Sequence, residues 1–257
     1  MVDLMEPVEG EKRIQIMELF GPTIQGEGFM TGTITHFLRT GGCPLRCSWC
    51  DSLFAVMPAE ILEHRTLMTT WEIIDAIHAL PWAPYVTLTG GDPCIQTRLG
   101  DIIPAINANK MRVAVETQGM YFPVWLQECD VITFSPKGPS SGNVVDPLPM
   151  ADYILSLGLR RKMHMCIKVV VFNEEDFNYA MSIYELLPPS LYDSFYFTAG
   201  TPMGLETLEE RTLAVIHNEQ ELAKLVLAAT PGIRLNDKVH LGCQQHVLLW
   251  PDKDKGV

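Results

Sequence analysis

No apolar run in this sequence approaches the ~20 residues that a helix needs to cross a bilayer. The first residues, MVDLMEPVEGEKR, are acidic and contain no apolar stretch of the kind a secretory leader carries. Basic residues are scarce: 19 Lys plus Arg stand against 31 Asp plus Glu, for a net charge of −12. That balance argues against a nucleic-acid surface, which needs a basic stripe to displace counterions, and leaves room for a local basic pocket for a small anion. Neither an internal repeat nor a heptad pattern nor a low-complexity tract is present. The seven cysteines are odd in number and unevenly spaced, so they form no disulfide framework. Reduced thiols and a cytoplasmic location are the expectation.

Alternation is what the chain does have. Short apolar, β-branched runs at 14–19, 34–39, 85–89, 112–116, 131–134, 166–172 and 194–198 read as strands. Helical periodicity is expected over 70–80, 96–109, 121–128, 174–187 and 219–229, the last opened by a capping box of Asn218 and Glu221. Strands alternating with helices imply βαβ units and a largely parallel sheet, open or curved toward a barrel. TGGDP (89–93), ETQG (116–119), SPKG (135–138) and TAGTP (198–202) each follow a predicted strand. Ligands of α/β folds bind outside the carboxyl ends of parallel strands, so these four turns predict one shared site.

Three of the cysteines are clustered, Cys43, Cys47 and Cys50 in GGCPLRCSWCD, and no fourth is near them. Structural zinc takes four ligands, and His64 would be the remaining candidate at a spacing that suits no common zinc pattern. Thiolates also hold iron–sulfur clusters. A [4Fe–4S] cluster on three cysteines leaves one iron free to bind a ligand. The spacing C-x3-C-x2-C, with Trp49 before the last Cys, resembles the signature of the radical S-adenosylmethionine (SAM) superfamily. That resemblance implies a [4Fe–4S] cluster and SAM, with an electron passed to the sulfonium and a 5′-deoxyadenosyl radical that abstracts hydrogen. It also implies a low-potential electron donor of flavodoxin or ferredoxin type. The expected fold is α/β, a single-domain partial (incomplete) TIM-like barrel of largely parallel strands with outer helices. The domain would span 1–257, with 1–13 an extension and 250–257 a tail.

Further strings narrow the resemblance. TIQGEG at 23–28, FLRTGGC at 37–43, Asp51-Ser52, TGGDPC, ETQG, SPK and the late GCQQHVLLW together resemble the 7-carboxy-7-deazaguanine synthase family, from about residue 15 to 246. The family contracts 6-carboxy-5,6,7,8-tetrahydropterin to 7-carboxy-7-deazaguanine with loss of ammonia, a step toward queuosine-type deazapurines. By that resemblance Trp49, Asp51, Gly91, Glu116, Ser135, Pro136 and Lys137 would bind SAM. Ile24, Gln25, Gly26, Glu27, Arg39, Thr89 and His246 would bind the carboxylated pterin, Arg39 taking its carboxylate. Ser52 would ligate Mg²⁺ at a position where the family usually has Thr, and a homodimer is implied. Asp92 replaces the superfamily's Glu, and Val247 a family Lys.

Cys94, Trp71, Trp82 and Trp125 read as packing residues, and 174–187 as a surface helix outside the site. A glycyl-radical activase shares the cysteine spacing but would not need TIQGEG. A non-catalytic iron–sulfur or zinc protein is the alternative from another class.

Overall fold

The computed structural model describes residues 13–158, 162–205, 207–229 and 235–250. Most of the expected N-terminal extension and C-terminal tail lies outside them. Among the described residues nine strands form one sheet: β1 (Ile14–Ile24), β2 (Ile34–Thr40), β3 (Thr66–Met68), β4 (Tyr85–Gly90), β5 (Arg112–Thr117), β6 (Val131–Phe134), β7 (His164–Val171), β8 (Ser194–Ala199) and β9 (Val239–Gly242). Their order is β3-β1-β2-β4-β5-β6-β7-β8-β9. Strands β2 and β4 to β9 run parallel, whereas β1 pairs antiparallel with β2 and β3. With β3 and β9 at opposite edges the sheet is not closed, as the partial barrel implied by the resemblance requires.

Seven α-helices among the described residues accompany the sheet: α1 (Pro58–His64), α2 (Thr70–His78), α3 (Ile103–Ala108), α4 (Leu148–Leu157), α5 (Glu174–Leu186), α6 (Leu208–Ala229) and α7 (Gln245–Leu249). The two strand faces differ in chemistry. On one, Leu38, Val86, Leu88, Val113, Val115, Ile132, Ile167 and Phe197 join residues of the helices in a single large core. The other face carries Thr35, Thr87, Thr89, Glu116, Thr133 and Lys168, alternating with that core along each strand. A short 3₁₀ turn, Gly28–Met30, closes the inner end, where Met30 packs on Ala114 and Val131. The polar face is therefore roofed at one end and open toward the carboxyl ends of the strands.

Several sequence expectations are corrected. Residues 96–109 are a 3₁₀ segment, Thr97–Ile102, followed by the short α3, whose start is set by Pro104. The 121–128 stretch is 3₁₀ over Val124–Glu128. Helix α6 begins at Leu208, not at 219: Thr207 and Glu210 make the reciprocal capping bonds, and Asn218, mid-helix, donates to the Gly200 carbonyl at 2.7 Å. Trp125 is buried, but Trp82 is 67% exposed and fills no core.

Candidate active site

The cluster loop leaves β2 after Thr40 and is shaped by glycine. A Cβ on Gly91 would fall on the Gly42 carbonyl oxygen and 2.9 Å from the Cβ of Cys43. The end of β4 can approach the cysteine loop this closely only without a side chain. On the loop's other flank, Ser48 N–H donates to the Ser141 carbonyl at 3.0 Å, and Trp49 Nε1 donates to Ser140 Oγ at 2.9 Å. Asn143 Nδ2 reaches Cys47 Sγ at 3.6 Å. Residues 140–143 are held in turn by the buried Asp176 at the start of α5, whose carboxylate accepts from Ser140 N–H and Phe172 N–H, both at 2.9 Å. The 174–187 helix contributes no lining residue, yet it sets the loop that clasps the cysteines.

Cys43, Cys47 and Cys50 line one cavity of about 450 Å³ at the open end of the barrel. Burial pushes the Cys43 thiol up to about 11, aided by Asp92 and the other two cysteines and opposed by the Leu45 N–H. Burial also raises Cys47 and Cys50, and Lys137 pulls both back down. Three half-buried thiols facing each other suit a cationic metal centre, which favours the thiolate forms. Among the described residues no three His, Cys, Asp or Glu converge as a site for a single metal ion. A cubane asks for something else, since each thiolate meets a different iron. The donor set fits a [4Fe–4S] cluster.

The cavity brings together every sequence-expected site residue except Pro136. Pro136 is buried beside it and shapes the SPK turn. Lys137 Nζ donates to Ser135 Oγ at 2.9 Å and sits 5.6 Å from the Trp49 ring. Arg39 and Thr89 are direct partners in the parallel β2–β4 register. Arg39 Nε is engaged by Glu18 at 2.9 Å and Nη1 by Ser52 Oγ at 3.1 Å, and the side chain lines the cavity. Ser52 Oγ also donates to Asp51 Oδ1 at 2.9 Å.

Asp92 is turned away from the cavity. Its buried carboxylate accepts from Cys94 N–H at 2.9 Å, Thr117 Oγ1 at 2.9 Å and Gln118 N–H at 3.3 Å, tying β4 to β5. Burial pushes its pKa up, and these three donors work against that rise.

The TIQGEG segment forms the opposite wall. Gln25 Nε2 donates to Glu116 Oε1 at 3.2 Å, and Gln25 Oε1 accepts from Glu27 N–H at 3.2 Å. Glu27 meets Gln244 Nε2 at 2.9 Å and His246 Nδ1 at 3.9 Å, and makes a close ion pair with Lys168. The C-terminal segment packs directly on this turn: Gln245 N–H donates to the Gly26 carbonyl at 3.1 Å, and a Cβ on Gly26 would stand 2.7 Å from the His246 nitrogen. Lys168, Gln244, Gln118 and residues 201–205 also line the cavity. Gln118 lies in ETQG, Gln244 in GCQQHVLLW and residues 201–202 in TAGTP, whereas 203–205 lie beyond any such string. Lys168 gave no signal, being one lysine in the apolar strand CIKVVVF.

The chain matches the model of the radical SAM superfamily over residues 37–141. It is 34% identical over 249 residues to the 7-carboxy-7-deazaguanine synthase of Bacillus subtilis (strain 168), covering 96% of this chain and 99% of that protein. A protein of the same name from Bacillus cereus is 38% identical over 247 residues, covering 95% and 99%. The crystal structure of QueE from Escherichia coli superposes with a TM-score of 0.65 at 20% identity, covering 91% of this chain and 95% of that one.

Proposed function

Because the chain belongs to the 7-carboxy-7-deazaguanine synthase family of radical SAM enzymes, we propose that it converts 6-carboxy-5,6,7,8-tetrahydropterin to 7-carboxy-7-deazaguanine with release of ammonia. The observation that carries this reading is one cavity holding both the three-cysteine loop and a cationic edge of Arg39 beside Thr89. When bound, the cluster on Cys43, Cys47 and Cys50 and its SAM supply the one-electron chemistry that starts hydrogen abstraction.

The chain's own residues bind and orient. In this reading Gly91 and the Ser135-Pro136-Lys137 turn border SAM, Trp49 and Asp51 flank it from the cluster loop, and Glu116 faces its ribose. Arg39 takes the pterin carboxylate through its Nη edge, a charge-assisted contact that a neutral substrate would not make. Ile24, Gln25, Gly26, Glu27 and Thr89 meet the pterin's amide-like donors and acceptors, and His246 closes over it. Mg²⁺ would be held by the Ser52 hydroxyl, with substrate oxygens completing its coordination, since the ion retains few protein ligands in such sites.

The reading further includes a single domain, a homodimer, a cytoplasmic location and an electron donor of flavodoxin or ferredoxin type. No helix among the described residues is long and apolar enough to cross a membrane. Comparing turnover of the carboxypterin with that of the same pterin lacking its carboxylate tests the assignment. Strong selection for the carboxylate is expected, and equal use of both would overturn it.

A further inference from the structure

Glu27, Lys168, Glu116 and Gln25 form a closed ring of side chains. Lys168 Nζ contacts Glu27 Oε2 and lies 3.7 Å from Glu116 Oε1. Glu116 Oε1 accepts from Gln25 Nε2 at 3.2 Å, and Gln25 Oε1 accepts from the Glu27 N–H at 3.2 Å. The ring joins the TIQGEG turn to the carboxyl-terminal half of β7 and the end of β5. Lys168 itself is nearly inaccessible, with 7% of its side chain exposed. Its stem passes the Gly28 turn, where an added Cβ would lie 3.8 Å from Lys168 Cδ.

An ammonium is a costly filler for such a place. A buried ion pair typically contributes little net stability, and an apolar side chain of similar volume often does as well. Two carboxylates share this one cation, and Glu27 holds it closely while Glu116 holds it at a distance. Among the described residues, Glu116 Oε2 has no hydrogen-bond partner, and the side chain faces the cavity. A carboxylate fixed by one oxygen and open at the other is arranged to accept from a ligand.

We propose that Lys168 is a positioning residue that orients Glu27 toward the pterin and Glu116 toward the SAM ribose, so that one buried ammonium serves both halves of the site. The inference rests on the proposed function for the identity of the two ligands. The pterin's amino and ring N–H groups and the ribose diol are both donors, and an ionised carboxylate is the acceptor that each requires. Removing the cation leaves two carboxylates unbalanced in one buried wall, which favours protonation or rotation out of place.

Holoenzyme carrying Lys168→Met, which retains the stem without the charge, tests this beside Lys168→Arg. The expected result for Lys168→Met is a rise on the order of 10- to 100-fold in the carboxypterin KM, the scale of a lost charged contact. SAM affinity, followed by titrating the reduced cluster's electron paramagnetic resonance signal, should weaken in the same variant. Lys168→Arg should recover most of both. More 5′-deoxyadenosine released per product in Lys168→Met would mark a loosely held pterin. Wild-type KM and SAM affinity in a folded Lys168→Met protein would overturn the proposal, as would losses that follow only the amount of folded protein.

If the single variant does not fold, Lys168→Met with Glu27→Gln removes the unpaired charge and keeps the SAM measurement available. Weakened SAM binding is expected there, and unchanged binding overturns the role. Failure of wild-type enzyme to convert the pterin would count against the functional reading alone, since the SAM titration still reports on Lys168.

Discussion

The Arg39 guanidinium and the Ser52 hydroxyl meet at 3.1 Å, and Ser52 passes the contact on to Asp51 at 2.9 Å. The group proposed to take the substrate carboxylate and the group proposed to take magnesium thus touch each other. Ser52→Ala should lower turnover while SAM still perturbs the reduced cluster, because both groups belong to the substrate side. Ser52→Thr retains the oxygen and restricts χ1, so it should keep activity. Mg²⁺ should stimulate wild type more than Ser52→Ala. Equal stimulation of the two would place the ion elsewhere.

Arg39 has its Nε held by Glu18, which fixes the plane of the fork and leaves the Nη edge for the ligand. Lysine cannot both keep the Glu18 pair and present a second donor edge. Arg39→Lys should therefore weaken use of the carboxypterin by about 1.5–3 kcal/mol, roughly 10- to 150-fold in kcat/KM. Steady-state kinetics with and without the pterin carboxylate reads this directly. A loss that is the same for both substrates would show that Arg39 only braces β1 against β2.

Gly91 carries a steric prediction. With Gly42 and Cys43 in the way of any Cβ, Gly91→Ala must move the end of β4 off the cysteine loop. Reconstituted iron and sulfide should fall well below one cluster per chain, as they should in Cys47→Ala. Cys129 and Cys166 are buried apart from the cavity, so their Ala variants should keep their iron. Full iron loading of Gly91→Ala would show that the loop tolerates displacement.

Glu27 links the site to pH. Burial opposes its ionisation, but Lys168, His246 and Gln244 outweigh that and hold its carboxyl down to about 2, from an ordinary value of 4.5. A carboxyl whose folded value is depressed contributes stability above its unfolded value and loses it as the pH falls toward the folded one. The stability gap between wild type and Glu27→Gln should therefore be full above about pH 4.5 and shrink as the pH falls toward 2. Chemical denaturation across that window measures it. A gap that does not change with pH would mean that Glu27 is not held ionised by these partners.

How much could be read from the chain depended on whether the signal was local. The seven predicted strands are present because runs such as VITF and CIKVVVF are too short and too β-branched for helices. β3 and β9, three and four residues long and mostly exposed at the sheet edges, have no such run to announce them. The cysteine loop and the strand-end turns are compact strings, and the sheet's parallel register brings them into one cavity. Lys168 is the opposite case. Its meaning lies in Glu116, 52 positions earlier, and Glu27, 141 positions earlier, and appears only when β5, β7 and the TIQGEG turn are side by side. Asp176 was likewise hidden, an acid in an acidic helix turn whose task is to hold a loop 36 positions away.

The most direct measurement is the identity of the product. Reduced, cluster-loaded protein given SAM, Mg²⁺ and 6-carboxy-5,6,7,8-tetrahydropterin should yield 7-carboxy-7-deazaguanine and ammonia in equal amounts, identified by mass spectrometry and an ammonia assay. Recovery of the pterin intact, from a protein that cleaves SAM under the same conditions, would contradict the account.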